Sequence, residues 1–205
     1  MNTDILSAQD PLALPHALEI LQFGGLVAFP TDTVYGVGAL AFDRAAVESI
    51  YAAKGRPLEK AIPVLIGDAD DLSKVSAEVP EIALKLAARF WPGPLTLVVP
   101  KRPELPGQVS SSPTVGVRIP DHSMARQLLL LAGPMAVTSA NLSGQPSPST
   151  AQEVLSQLSG RIDLILDGGI TPGGVPSTVV DCSGAELQVL REGPISKDEI
   201  LSVCR

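Results

Sequence analysis

Apolar positions along this chain fall in two rhythms. Leu26, Val27, Ala28 and Phe29 form an unbroken apolar run that stops at Pro30, the pattern of a short buried strand. Similar runs at 37–42, 61–66, 95–99, 134–138, 162–166, 177–181 and 187–190 predict further strands. In 114–120 the pattern alternates, with Thr114, Gly116 and Arg118 on one face and Val115, Val117 and Ile119 on the other. The second rhythm is helical. Leu14, Leu18 and Leu21 share a face of a helix that Asp10 caps, Pro11 begins and Gly24-Gly25 closes. Asp43 caps a helix running to Lys54, with Val47, Ile50 and Tyr51 inward and Lys54 at the end of that buried face. Further helices are predicted over 79–90 (Ile82, Leu86 and Phe90 inward), 123–132, from a Ser149 or Thr150 cap to Leu158, and over 197–203. The segment 68–74 reads as a solvated acidic connection.

Between these elements the punctuation is Gly and Pro, eighteen and nineteen of them. Trp91-Pro92-Gly93-Pro94 breaks a helix, and Trp91 reads as a packing anchor at that corner. The Pro/Ser-rich loop 100–113 has the length of a lid or binding loop, and 167–174 reads as a flexible Gly-rich loop. No repeat or linker divides the chain. The chain is therefore expected to form one domain over 1–205, with its core at about 10–200.

Composition narrows the function classes. The chain is 45% hydrophobic but only 3% aromatic, so its core is aliphatic. A net charge of −7 makes it a poor candidate for wrapping nucleic acid through bulk charge, and any anion it binds must meet a local cationic pocket. Two cysteines, Cys182 and Cys204, suggest neither a disulfide framework nor a zinc site. Two histidines, His16 on a helix surface and His122 beside a helix cap, make no His-rich metal site. Met1 to Asp10 is polar and acidic, unlike a signal peptide, and no apolar run is long enough to span a bilayer. The expected location is cytoplasmic, with no membrane partner.

The chemistry-bearing residues gather where strands end. After the run at 26–29 comes Thr31-Asp32-Thr33-Val34-Tyr35-Gly36, which suits either a ligand site at the end of a rigid element or a tight turn. Lys54-Gly55-Arg56-Pro57 fixes two cations around a turn, as an anion site or as compensation of the helix dipole. Arg118, on one face of an internal strand, needs a carboxylate or phosphate partner, and no acidic neighbour is obvious in the sequence. Ser139 and Asn141 end another strand, Ser177 and Thr178 open one, and Arg191 adds a cation. Hydroxyls with guanidinium and ammonium groups suit phosphate or carboxylate oxygens. The chain has no Gly-x-x-x-x-Gly-Lys-Ser/Thr loop, no Gly-x-Gly-x-x-Gly and no Gly-x-Ser-x-Gly elbow. Chemistry by positioning and charge neutralisation fits better than covalent catalysis.

The blocks TDTVYG (31–36), KGRP (54–57), WPGPLTLV (91–98), VGVRIP (115–120), TSANLSG (138–144), PSTVVD (176–181) and LREG (190–193) resemble, in order, those of the YrdC-like family of threonylcarbamoyl-adenylate synthases. The resemblance implies an α/β fold, a twisted mixed sheet with flanking helices and a concave, positively charged face. It implies a nucleotidyltransferase that forms threonylcarbamoyl-adenylate and pyrophosphate from L-threonine, bicarbonate or CO2, and ATP with Mg2+. The product would feed the N6-threonylcarbamoyladenosine (t6A) modification of tRNA, completed by a separate t6A transferase complex, with tRNA contact at most indirect. Position by position, Thr31, Arg118 and Ser177 would hold L-threonine. Lys54, Arg56, Thr114, Ser139, Ser147 and Arg191 would contact ATP, with Lys54 and Arg56 stabilising charge and Asn141 ordering the phosphate loop. No protein-held metal is implied. The chain resembles the short form of the family, and the strand over 61–66 lacks a His that some relatives use for threonine. Two other readings accompany this one. One is a paralogue on the same fold that binds RNA or nucleotide without synthase activity. The other is a carbamoyl-transfer module of the kind found in hydrogenase-maturation proteins, whose usual companion domains the sequence lacks.

Overall fold

The computed structural model describes residues 2–172, 174–184 and 186–203. The expectations for Gly173 and Cys204 therefore lie outside the described residues.

In chain order the elements are β1 (Asp4–Ser7), α1 (Ala13–Gln22), β2 (Val27–Phe29), β3 (Gly36–Leu40), α2 (Arg44–Lys54) and β4 (Val64–Leu65). A 3-10 turn (Ala69–Asp71) and α3 (Leu72–Val75) follow, then α4 (Glu81–Phe90), β5 (Leu95–Pro100), β6 (Thr114–Arg118), α5 (Ser123–Ala132) and β7 (Met135–Ser139). The chain continues through α6 (Ala151–Leu158), β8 (Leu164–Asp167), β9 (Thr178–Asp181), β10 (Gln188–Arg191) and α7 (Lys197–Ser202). All ten strands join one mixed sheet in the order β1-β8-β2-β3-β7-β4-β6-β5-β9-β10. This is the α/β mixed sheet with flanking helices that the sequence predicts.

Strand alternation sorts the core into two layers. Ala28, Val37, Ala39, Val64, Leu97, Val117, Ala136 and Ile165 face one way and pack with Val47 and Ile50 of α2, Leu86 of α4 and Val154 and Leu158 of α6. Val27, Phe29, Leu65, Met135, Val137, Leu164 and Leu166 face the other way, against Ala13, Ala17 and Leu21 of α1 and Met124, Ala125, Leu128 and Leu129 of α5. The register carries this second face across the sheet: Leu65 pairs with Arg118, Gly116 with Val98, and Thr96 with Val179. Helices α1 and α5 cover only the part from β8 to β4. The remainder, over β6, β5 and β9, is where the polar side chains emerge.

Local sequence accounts for most boundaries. Asp43 accepts from the Ala46 N–H at 3.0 Å, capping α2 as expected, and Gly55 ends that helix in the left-handed conformation at φ 58°. Thr150, rather than Ser149, caps α6 by accepting from the Glu153 N–H.

Four expectations change. Strand β1 lies in the segment read only as a polar start; its backbone pairs in parallel with β8. Asp10 does not cap α1: its carboxylate accepts from the Leu12 N–H at 2.9 Å in a turn, and the helix begins at Ala13. The run over 61–66 yields only two strand residues, while the Pro63 carbonyl accepts from the Val137 N–H at 2.9 Å. The acidic connection is helical, started by Asp68 accepting from the Asp70 N–H.

The loop 100–113 is fastened to the body. Leu105 and Val109 are buried, the Val109 carbonyl accepts from the Ile62 N–H at 2.8 Å, and the Tyr51 hydroxyl donates to the Gln108 carbonyl at 2.7 Å. Among the described residues, none of this loop lines the cavity over β5, β6 and β9.

Replacing the α2 cap by Asp43→Ala should cost ~1 kcal/mol in unfolding free energy, read from the urea midpoint at unchanged slope.

Candidate active site

The uncovered part of the second face is the floor of a cavity enclosing about 370 Å³. Thr96, Val98, Gly116 and Val179 lie on that floor, with Leu65 and Val137 toward the helix-covered side. Gly116 keeps the floor open: a Cβ there would stand 3.0 Å from Thr96 Cγ2. Polar groups enter from five strand ends and the turn after α2, and the lining brings together Thr31, Arg56, Arg118, Ser139, Ser177 and Arg191.

The turn after β2 is built by its own hydroxyls. Thr31 Oγ1 donates to the Val34 carbonyl at 2.7 Å, accepts from the N–H groups of Thr33 and Val34, and lies 3.0 Å from Thr33 Oγ1. Thr33 Oγ1 in turn accepts from Arg118 Nη1 at 3.0 Å. Arg118 Nη2 donates to Asp32 Oδ1 at 2.5 Å, and Nε to the Gly93 carbonyl at 3.0 Å. The acidic partner that the sequence left unnamed is thus Asp32, 86 positions away along the chain. Burial pushes the Arg118 pKa down, Asp32 opposes it, and the nearby Arg191 adds to the downward push. An arginine keeps its charge through such shifts.

Across the floor, Ser177 Oγ and Thr96 Oγ1 share a hydrogen bond of 2.8 Å. Arg191 donates through Nε and Nη2 to the Ser177 carbonyl, at 3.0 and 2.7 Å. Arg56 is braced on its own turn, donating to the carbonyls of Lys60 and Ala61 at 3.1 and 2.8 Å. Burial lowers the pKa of both Arg56 and Arg191. Three guanidinium groups therefore converge on one concavity of an acidic protein.

Lys54 and Asn141 stand behind this surface, outside the cavity lining. Lys54 is 2% exposed, and its Nζ donates to the carbonyls of Ser139 and Asn141, both at 2.5 Å. Burial, with a smaller contribution from Arg56, lowers its pKa to about 7. Asn141 Nδ2 donates to the carbonyls of Leu142 and Gln145 at 2.7 and 2.8 Å, closing the loop after β7. Both side chains shape that loop from within the protein.

Thr114 and Ser147 lie outside this cavity. Thr114 Oγ1 bonds Ser112 Oγ at 3.0 Å. Ser147 lines a neighbouring concavity with Ser149, Glu153, Gln157 and Thr171. Tyr35, grouped by sequence with the threonines, is turned away: its hydroxyl donates to the Gly169 carbonyl at 2.8 Å and accepts from the Gly168 N–H. Its burial raises the phenol pKa to about 12.

Two groups in or against the site were not selected from the sequence, Asp32 and Thr96; Thr33 was grouped there with Thr31 and Tyr35. A signal for Thr96 existed, as a lone hydroxyl inside an otherwise apolar strand run. None existed for the Asp32–Arg118 pairing, which only the sheet creates. Among the described residues, no group of three His, Cys, Asp or Glu side chains is placed to hold a metal ion, and no helix is long and apolar enough to cross a membrane.

A mixed sheet left partly uncovered, with guanidinium groups and hydroxyls on its open part, defines an α/β protein with a cationic concave face. Residues 19–193 match the model of the Sua5/YciO/YrdC family, described as telomere recombination, and the chain belongs to that family. It is 45% identical over 204 residues to threonylcarbamoyl-AMP synthase of Bacillus subtilis, covering 98% of this chain and 59% of the relative. It is 42% identical over 206 residues to a putative threonylcarbamoyl-AMP synthase of Mycobacterium tuberculosis, covering 98% of this chain and 95% of that one. The crystal structure of Pyrococcus abyssi Sua5 complexed with L-threonine superimposes with a TM-score of 0.94 at 41% identity, over 99% of this chain and 61% of that one. The chain thus spans about three fifths of the Bacillus and Pyrococcus proteins.

The Lys54 environment has a pH signature. A lysine whose folded pKa is about 7 is protonated in both states below that pH, and only in the unfolded chain between there and its usual value. The unfolded state then binds more protons, so stability rises with pH across that window. Unfolding free energy of the wild type relative to Lys54→Met should therefore rise from about pH 6 to about pH 9 in urea titrations. A flat difference would mean that the two carbonyls hold the ammonium fully charged.

Proposed function

We propose that this chain catalyses formation of threonylcarbamoyl-adenylate and pyrophosphate from L-threonine, bicarbonate or CO2, and ATP. One observation carries the reading. Arg118 and the hydroxyls of Thr31 and Ser177 share one small-ligand-sized cavity with Arg56, Ser139 and Arg191, so carboxylate and phosphate groups have separate partners within one site. The names of the relatives support it.

In this reading Arg118, Thr31 and Ser177 hold the threonine. Arg56, Ser139 and Arg191 meet ATP from the cavity wall, and Thr114 and Ser147 meet it beyond the cavity. Lys54 and Asn141 act through the loop after β7. The threonine amine bonds to the carbon of CO2 and loses a proton, giving a carbamate. A carbamate oxygen then bonds to the α-phosphorus of ATP as the bond from that phosphorus to the bridging oxygen breaks, and pyrophosphate leaves. Mg2+ arrives with ATP as part of that substrate and shares the charge of the departing pyrophosphate with the arginines. No side-chain nucleophile takes part; the protein orients the carbamate and neutralises phosphate charge. The product then passes to a t6A transferase complex that modifies tRNA, and the chain itself needs no tRNA contact to act. Cytoplasm is the location that fits this work.

Pyrophosphate release is the test, with ATP, Mg2+, bicarbonate and each amino acid in turn. Release with L-threonine, well above that with serine, is expected. ATP binding with no amino-acid-dependent release would instead favour a nucleotide- or RNA-binding role. Arg56→Ala and Lys54→Ala should each lower the rate by roughly tenfold or more, the effect of losing a charged contact of about 1.5–3 kcal/mol.

A further inference from the structure

Of the three cavity arginines, Arg118 alone has a carboxylate partner among the described residues. Arg56 and Arg191 donate to carbonyl oxygens, with one longer contact to the Ser177 hydroxyl. Arg118 is also the most enclosed of the three, at 6% exposure on an internal strand. A guanidinium in that position is costly unless its N–H groups are met. They are met from three places: the Gly93 carbonyl on Nε, the Thr33 hydroxyl on Nη1 and the Asp32 carboxylate on Nη2. Three of the five N–H groups are thus engaged within the protein, leaving one on each terminal nitrogen. Two N–H groups from the two terminal nitrogens are what a carboxylate takes when it meets a guanidinium end-on.

Asp32 is placed to support such a contact without occupying its space. Thr31 and Thr33 on either side of it line the cavity, and Asp32 does not. Its position is fixed by the turn that Thr31 Oγ1 closes onto Val34. A carboxylate in the ligand's place would compete for Arg118; one behind it holds the guanidinium plane and offsets its charge while the site is empty.

We propose that Asp32 is a positioning residue, which orients Arg118 to receive the carboxylate of the amino-acid substrate. This rests on the functional reading above only for the identity of that carboxylate. The same geometry makes Asp32 matter to any carboxylate ligand of Arg118 and leaves ATP affinity alone.

The test uses the full chain with Asp32→Ala, Asp32→Asn and Asp32→Glu, and has two readouts. The first needs no ligand: NMR of the ¹⁵N-labelled Arg118 guanidinium, assigned by its loss in Arg118→Lys, with rotation about the bonds to the terminal nitrogens as the signal. Rotation should be hindered in the wild type, freed in Asp32→Ala, and partly restored to the hindered state in Asp32→Glu. The second is calorimetric titration with L-threonine and, separately, with ATP. Asp32→Ala should weaken L-threonine by roughly tenfold or more while ATP affinity stays within about twofold. In turnover the same variant should raise KM for L-threonine more than it lowers kcat, with Asp32→Asn between the two. A guanidinium equally hindered in Asp32→Ala would overturn the proposal. So would L-threonine affinity that is unchanged, or tighter, the latter making Asp32 a competitor for Arg118. If the wild type binds a different carboxylate in place of L-threonine, the synthase reading fails, and loss of that ligand's affinity in Asp32→Ala still upholds the role of Asp32. A wild type that binds no carboxylate overturns both.

Discussion

A mixed sheet closed by helices over most of one face and a smaller part of the other has to meet water, or a ligand, along the uncovered part. That constraint organises this molecule. Alternation along each strand commits one set of side chains to the face shared with α2, α4 and α6, where aliphatic residues pack without a break. The opposite set is aliphatic where α1 and α5 lie over it, and mixes valine with threonine, glycine and arginine where they do not. A shift of one residue in β6 would send Arg118 into the aliphatic core and Val117 into the cavity. The register that keeps Leu65 beside Arg118 and Thr96 beside Val179 is therefore as much a condition of the site as the side chains themselves.

Electrostatics follow from that geometry. A chain with net charge −7 gathers three arginines around one concavity and sets a single carboxylate against the most buried of them. The other two are braced on backbone carbonyls, which orient a guanidinium without cancelling its charge. The field in the cavity is consequently positive although the molecule as a whole is acidic, the condition for drawing an anion to one place. Lys54 shows a further use of a cation. Its ammonium ties two carbonyls at the end of β7, so the shape of the loop that presents Ser139 depends on a charge that burial disfavours.

Much of this was legible along the chain. The apolar run at 26–29, the Asp43 cap with Gly55 closing its helix, and the alternation over 114–118 are local facts, set by propensity and period, and they reappear as β2, α2 and β6. The candidate residues at strand ends were legible for the same reason, since polar side chains following an apolar run have to leave the core. The misses were non-local. Strand β1 exists because β8 offers its edge, and a polar segment such as 4–7 pairs through its backbone whatever its side chains suggest. Tyr35 follows two threonines that line the cavity, yet its ring packs in the core and its hydroxyl ties a loop 134 positions away.

The sequence by itself determined the class of the fold, the inventory of cations and hydroxyls, and the turns on which they sit, because each depends on neighbours within a few residues. Only the tertiary structure decided which of them face one another. It placed Asp32 on Arg118, Thr96 on Ser177 and Lys54 beneath Ser139. Those contacts join residues about 80 or more positions apart, and their partners are chosen by strand order and register in a ten-stranded sheet, which no local pattern encodes.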